Sequence, residues 1–437
     1  MGTVRSAERA PTLVLSAYRF LTGLAHGGLG LLLSKRAREG KEDPARLSER
    51  LGLPSAETPG RPRGPLIWIH GASVGESLSH LPLIARIRSE RADISVLVTT
   101  ATRTAASLME RRLPEGAFHQ YVPVDTPQAA RRFLDRWQPD LAIFVESELW
   151  PNLLLGLRER RVPVALLSAR MTEKSYRGWM KWPASARSVM RAFSIILPQD
   201  THTASRIGML GGTVGPLANL KGVGLPLPAD NRTLMALHDA LGSAPRLLAA
   251  STHPEEEVLI ASVWDTLPEP KPRLILVPRH PERGDAIAAE LRAAGIRLAQ
   301  RSRDEPITPE TEIYLADTLG ELGLFFRLAD TIVLGGSFTQ GIGGHNPLEP
   351  ARLGKAVITG PDLYNWDAVI PALEARRAIA ITTPSDLGKA LRLAQRDRVA
   401  YVEAGLRARD VAAELDKALE VIWAYLAPLL PIRGGYQ

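Results

Sequence analysis

The chain contains no cysteine, which excludes disulfides, thiolate zinc sites and thiol nucleophiles. A reducing compartment is allowed by that absence, and no redox chemistry through the protein is expected. Aromatic residues make up only 5% of the sequence, too few for the stacking platforms of nucleic-acid binders, and no zinc-finger spacing occurs. No nucleic-acid partner is expected. Asp-x-Asp is missing too, as is any His pair with acids at ligand spacing, so neither a metal nor a cofactor is expected.

What is present points to a globular protein of two domains. At 437 residues the chain exceeds one typical domain, and 45% hydrophobic residues suffice for two cores. Lys and Arg number 54 against 47 Asp and Glu, a net charge of +7. That surplus suits nucleotides, phosphorylated substrates or an anionic membrane surface.

Residues 11–33, PTLVLSAYRFLTGLAHGGLGLLL, are long enough as a helix to cross a hydrocarbon core of about 30 Å. Arg19 and His26 interrupt the run, four glycines weaken it, and Lys35, Arg36, Arg38 and Lys41 follow at once. The pattern predicts an anchor region over residues 1–45 that lies in the interface or makes a marginal single span. A span would leave the body of the protein in the cytoplasm. The other reading is a helix packed on the first domain.

From Pro65, short apolar runs alternate with helix-length segments: PLIWIH, ISVLVTT, LAIFVES, VPVALLS and FSIILPQ, then RLLAAST, RLILVPR, EIYLAD, TIVLGGS and AVITG. This is the signature of parallel βα units, hence an α/β protein of two doubly wound halves. The Gly- and Pro-rich stretch 216–230 reads as the linker, between a first domain over 46–215 and a second over 231–437.

Ligands of such sheets bind beyond the carboxyl ends of the strands, so the residues after each run are the candidates. HGASVGE, 70–76, puts small residues and one carboxylate where a strand turns into a helix. Glu76 is either a first-turn acid favoured by the helix dipole or a carboxylate facing a cleft, and the dipole would lower its pKa unless burial opposes it. His70 is either a hydrogen-bonded structural imidazole or a catalyst. In LAIFVESELWPNLL, Glu146 and Glu148 share one side if the strand continues, Pro151 opens a helix, and Trp150 reads as a packing anchor. Lys221 of ANLK is either a solvated ammonium or the partner of an anionic ligand.

In the second half, VPRHPER ends a strand with Pro278 and Arg279, a guanidinium suited to phosphate or carboxylate. DTLGELGLFF offers a turn at Gly320 that opens a helix. GGSFTQGIGGHNPLEP joins five glycines to a capping box with Asn346 as N-cap, Pro347 at N1 and Glu349 at N3. Capping alone explains NPLE. The glycines call for a ligand close to the chain, and a nucleotide phosphate at the helix start, with Glu349 on ribose hydroxyls, satisfies both features. The spacing is neither GxGxxG nor a Walker motif.

HGASVGE, VPVDTP, VESELWPNLL, LSARMTEKSYR, LANLK, ASTHPEEE, VPRHPER, DTLGEL and GGSFTQGIGGHNPLEP together resemble the 3-deoxy-D-manno-octulosonic acid (Kdo) transferases of lipid A biosynthesis, in order and out to about residue 425. The resemblance implies a GT-B fold with an acceptor-binding N-terminal half and a C-terminal half that takes CMP-Kdo. It implies Glu76 as general base, Glu146 and Lys221 as helpers of the transition state, and CMP contacts at Pro278, Arg279, Leu319, Gly320, Glu321, Asn346, Pro347, Leu348 and Glu349. The reaction expected from it is inverting, metal-independent transfer of Kdo to a lipid A precursor (lipid IVA). The expected setting is the cytoplasmic side of the inner membrane, whose anionic surface would hold the N-terminal segment. LANLK departs from the family pattern by lacking a more usual glycine, and SARMTEKS replaces a more usual NAR-x-S-x-R-S. The rival readings are a GT-B-shaped nucleotide-sugar epimerase and a membrane-attached nucleotide-binding scaffold.

Overall fold

The computed structural model describes residues 12–432; residues 1–11 of the expected anchor region lie outside that range. Strands β1 (Leu66–His70), β2 (Ser95–Thr100), β3 (Ala117–Tyr121), β4 (Leu141–Val145), β5 (Val164–Ala169) and β6 (Ile195–Pro198) form one parallel sheet in the order β3-β2-β1-β4-β5-β6. Every residue of β1, β4 and β5 is buried, as befits parallel strands covered by helices on both faces. Alternate side chains serve opposite faces: Leu66 and Trp68 join one core, Ile67 and Ile69 the other. Chain order reverses between β1 and β4, which opens a crevice at their carboxyl ends.

The second sheet contains β7 (Arg246–Thr252), β8 (Arg273–Pro278), β9 (Leu298–Gln300), β10 (Ile313–Leu315), β11 (Thr331–Leu334), β12 (Val357–Thr359) and β13 (Ile379–Ile381). Its order is β13-β12-β11-β7-β8-β10-β9, again parallel, with the reversal between β7 and β11.

The chain divides into two compact units, Met1–Val223 with Asp416–Gln437, and Gly224–Leu415. The expected second domain over 231–437 is therefore corrected at both ends. Burial is the reason: Ile422 and Leu426 of the last helix, Arg398–Leu426, are fully buried in the first unit's core beside Leu83 and Ile87. The expected linker is likewise shared out. Ala218 and Leu220 belong to that same core, whereas in the second unit Arg327 Nη1 donates to the Leu227 carbonyl at 2.7 Å.

Leu13–Arg38 is a single helix capped by Thr12. Leu15 enters the first unit's core, and Tyr18 donates to Asp125 Oδ2 at 2.9 Å. Its other side leaves Leu13, Phe20, Leu21, Leu24, Leu31 and Leu32 exposed. Among the described residues no helix is long and apolar enough to cross a membrane, so the single-span form of the expected anchor has no structural support.

Candidate active site

After β1 the chain turns into the helix Val74–Glu90. Gly71 permits the turn by close approach, since a Cβ there would lie 2.3 Å from Cε1 of His80, a buried ring. Ser73 is the N-cap and Glu76 stands at N3, and the two are joined in the manner of a capping box. Ser73 Oγ donates to Glu76 Oε1 at 2.9 Å, and the Ala72 amide donates to Oε2 at 2.8 Å. Burial raises the Glu76 pKa against the lowering effect of these two bonds, and the Glu148 and Glu146 charges raise it further. Burial thus prevails over the two bonds, which makes Glu76 a stronger base than a surface carboxylate. The first-turn acid read from the sequence is thus part of a cap, and its carboxylate is held by Ser73 and the Ala72 amide.

Residues 71–75 spell GxSxG, a pattern linked to strained serine nucleophiles, which corrects the expectation that the chain holds no such element. Ser73 has extended backbone, φ −109° and ψ 169°, and its hydroxyl serves Glu76. The turn is not a nucleophile elbow.

His70, the last residue of β1, is fully buried, with Nδ1 2.9 Å from Thr99 Oγ1 and Nε2 3.1 Å from Glu148 Oε2. Trp150 donates its Nε1–H to the same oxygen, so it is a donor as well as an anchor. Burial pushes the Glu148 pKa up, but the bonds from His70 and Trp150 outweigh it and hold the group below the usual range.

β4 stops at Val145, and Glu146 turns away in the left-handed region at φ 62°. The alternation expected to set Glu146 and Glu148 on one side does not reach them. Glu146, 7% exposed, meets Lys221, whose Nζ lies 2.8 Å from Oε1. The contact is an ion pair without hydrogen-bond alignment at that oxygen. Lys221 therefore has a fixed acidic partner, while Glu76 bonds within its own turn and senses Glu146 through charge.

Asp125 of VPVDTP organises the helix after β4, Pro151–Glu159, by accepting the Asn152 and Leu153 amides at 3.1 and 3.0 Å. With Tyr18 on the same carboxylate, that motif ties the loop carrying Glu148 and Trp150 to the N-terminal helix.

In the second unit Pro278 closes β8, and Arg279 follows with its amide on the Thr252 carbonyl at 2.9 Å and its side chain exposed. Beyond β10, Leu319 is 83% exposed and Gly320 has φ 85° ahead of the helix Leu322–Leu328, the turn read from DTLGEL. The Glu321 carboxylate is already engaged, accepting from Arg301 Nε at 2.6 Å and from the Thr318 hydroxyl. This turn offers a ligand its backbone more readily than that side chain.

After β11 and the glycine-rich loop comes the helix Leu348–Arg352, which starts one residue later than predicted. Pro347 occupies the N-cap position, while Asn346 supplies the capping oxygen by accepting the Leu348 amide at 3.0 Å. Glu349 lies in the first turn, at N2.

Motif reading missed two features that shape these exits. Glu256 of ASTHPEEE accepts the amides of His253, Gly336, Ser337 and Phe338 at 2.8 to 3.1 Å, pinning the glycine-rich loop to the β7 exit. His253 and His345 meet Nε2 to Nε2 at 2.9 Å. Gly336, at φ 75°, makes room for them, because a Cβ there would lie 2.8 Å from His345 Nε2. Burial, with the Arg279 charge adding, lowers His345 to about 4. The available signals were the His of THPEEE and of GHNP.

Two parallel, doubly wound units with charged groups at their strand exits are the architecture of a GT-B-like glycosyltransferase. A glycosyltransferase of Rickettsia africae shares the fold, with a TM-score of 0.50 over 84% of this chain and 99% of that one at 9% identity. Residues 45–222 match the family described as 3-deoxy-D-manno-octulosonic-acid transferase (kdotransferase). A probable mitochondrial 3-deoxy-D-manno-octulosonic acid transferase of Arabidopsis thaliana is 36% identical over 383 residues, covering 84% of this chain and 85% of that protein. The 3-deoxy-D-manno-octulosonic acid transferase of Haemophilus influenzae is 31% identical over 411 residues, covering 92% and 94%. The chain belongs to the 3-deoxy-D-manno-octulosonic acid transferase family, and it is an enzyme.

Proposed function

We propose that this enzyme moves Kdo from CMP-Kdo to a hydroxyl of a lipid A precursor, inverting the anomeric centre in one displacement with Glu76 as general base. The observation that carries the reading is the state of Glu76: oriented by Ser73 and the Ala72 amide, and made more basic by burial and by the neighbouring Glu148 and Glu146. In the displacement the acceptor oxygen bonds to the anomeric carbon, the bond from that carbon to the CMP phosphate breaks, and the acceptor proton passes to Glu76. General-base help of this kind is worth about 10²- to 10⁴-fold.

CMP departs with added negative charge. Arg279, Pro278, the turn at residues 319–321 and the helix start at 346–349 are assigned to the nucleotide, and Lys221, steadied by Glu146, to the charge developing in the transition state. A single displacement needs no covalent intermediate, in keeping with the extended Ser73, and no step calls for a metal ion.

The exposed row of Leu13, Phe20, Leu21, Leu24, Leu31 and Leu32, followed by Lys35 and Arg38, supports a helix lying in the anionic interface on the cytoplasmic side of the inner membrane. Flotation with anionic vesicles tests that part. The reaction is tested by Kdo incorporation into a tetra-acylated lipid A precursor, with CMP-Kdo generated in situ and the divalent cation it needs then chelated. Inverted lipid product supports the reading. No product from folded enzyme, or product only with added divalent cation, contradicts it.

A further inference from the structure

We infer that Ser168 is a positioning residue for the Lys221–Glu146 pair, acting through a hydroxyl that holds the segment delivering the ammonium. β4 and β5 are parallel neighbours, and the carboxyl end of each holds a left-handed residue that is not glycine: Glu146 just after β4 at φ 62°, and Ser168, the last residue but one of β5, at φ 49°. The exits interlock: the Glu146 amide bonds to the Leu167 carbonyl at 3.1 Å, and the Arg170 amide to the Glu146 carbonyl at 3.1 Å. Pairing of β5 with β6 shifts register between Leu166 and Ala169, so the strand bulges at Ser168.

If the bulge alone mattered, glycine would adopt it without strain; serine adds an acceptor. Ser168 is 1% exposed, and its Oγ accepts the Leu220 amide at 2.8 Å. Leu220 is fully buried, so that amide has no water to turn to. The next residue is Lys221, whose amide is held by Asn219 Oδ1 at 2.8 Å and whose Nζ reaches Glu146 at 2.8 Å. The connections close into a ring: Leu167 holds the Glu146 backbone, and Ser168 holds the residue before the lysine.

The kinetic part of this inference rests on the transferase reading; a second measurement does not. In the full-length enzyme, Ser168→Ala and Ser168→Gly lower kcat about tenfold or more, with the KM for CMP-Kdo within about twofold of wild type. Ser168→Asn tolerates the left-handed backbone and keeps an acceptor oxygen, so it recovers most of the loss. In a Lys221→Ala background, Ser168→Ala costs no further kcat. Equal losses in both backgrounds mean a merely structural role and overturn the inference, as does wild-type kcat in Ser168→Ala.

The readout independent of turnover is the NMR signal of isotopically dimethylated Lys221, assigned by its loss in Lys221→Arg. In Ser168→Gly it moves toward the position seen in Glu146→Gln, while in Ser168→Asn it stays. A signal unmoved in Ser168→Gly overturns the inference even where the proposed donor and acceptor prove wrong. Should Ser168→Ala fail to fold, the Gly and Asn variants carry both comparisons.

Discussion

His70 Nε2 stands 3.1 Å from the Glu148 carboxylate, and this buried contact joins the exits of β1 and β4. Burial opposes ionisation of Glu148, yet the bonds from His70 and Trp150 prevail and lower its pKa. Its charge in turn helps raise Glu76. Glu148→Gln removes that charge, so the Glu76 pKa falls and the acid limb of kcat/KM moves to lower pH. A limb that stays in place, or moves up, contradicts the coupling.

Lys221 and Glu146 are unequally exposed, at 41% and 8% of their side chains. Lys221→Ala leaves a buried carboxylate unpaired, but solvent reaches the lysine end, so the stability cost is small, about 1 kcal/mol. Activity suffers far more, with kcat falling about 10²- to 10³-fold as transition-state charge loses its counter-ion. Denaturant titration and kinetics separate the two effects, and calorimetry shows CMP affinity unchanged.

Gly71→Ala drives a methyl group to 2.3 Å from His80 Cε1 and 3.1 Å from Glu76 Cβ. Overpacking of this sort costs about 1–3 kcal/mol, and it disturbs the turn that orients the base. His80→Ala in the Gly71→Ala background recovers stability, although alone it lowers it. Melting temperatures of the four proteins give the coupling directly.

Two buried imidazoles are among the groups that weaken the fold in acid. Burial lowers His80 and His119 from 6.5 to about 3 each. As pH falls below 6.5 the unfolded chain takes up protons that the native imidazoles refuse, so stability present above that pH is lost progressively toward about 3. Both ring nitrogens of His80 lack partners, so His80→Leu removes a desolvation penalty along with the titration. Denaturant midpoints measured at about pH 7 and about pH 5 fall less in that variant than in wild type.

The central strands could be read from sequence because strands covered on both faces are continuous apolar runs. β3, spelled AFHQY, carries His119 and Gln120, while β9 and β13 are three-residue edges of which IAI is partly exposed, so none of them gives such a run. Glu76 was legible as a first-turn acid because it follows a strand-like run and small residues, whereas its cap by Ser73 was not read. Asp125 and Glu256 were visible only as motif letters, since the amides they hold across the fold, of Asn152 and of Gly336, lie 27 and 80 residues away. The left-handed turn at Glu146 was hidden because alternation does not say where a strand stops. The return of the last helix to the first unit was hidden too, since a helix's own pattern names no sheet to pack on.

The most direct test of the account compares Glu76→Gln with wild type in Kdo transfer to the lipid precursor across pH, alongside CMP affinity. The account predicts a kcat/KM lower by about 10²- to 10⁴-fold, no acid limb in the variant, and unchanged CMP binding. Transfer at wild-type rates with the acid limb intact would contradict it and remove Glu76 from the chemistry.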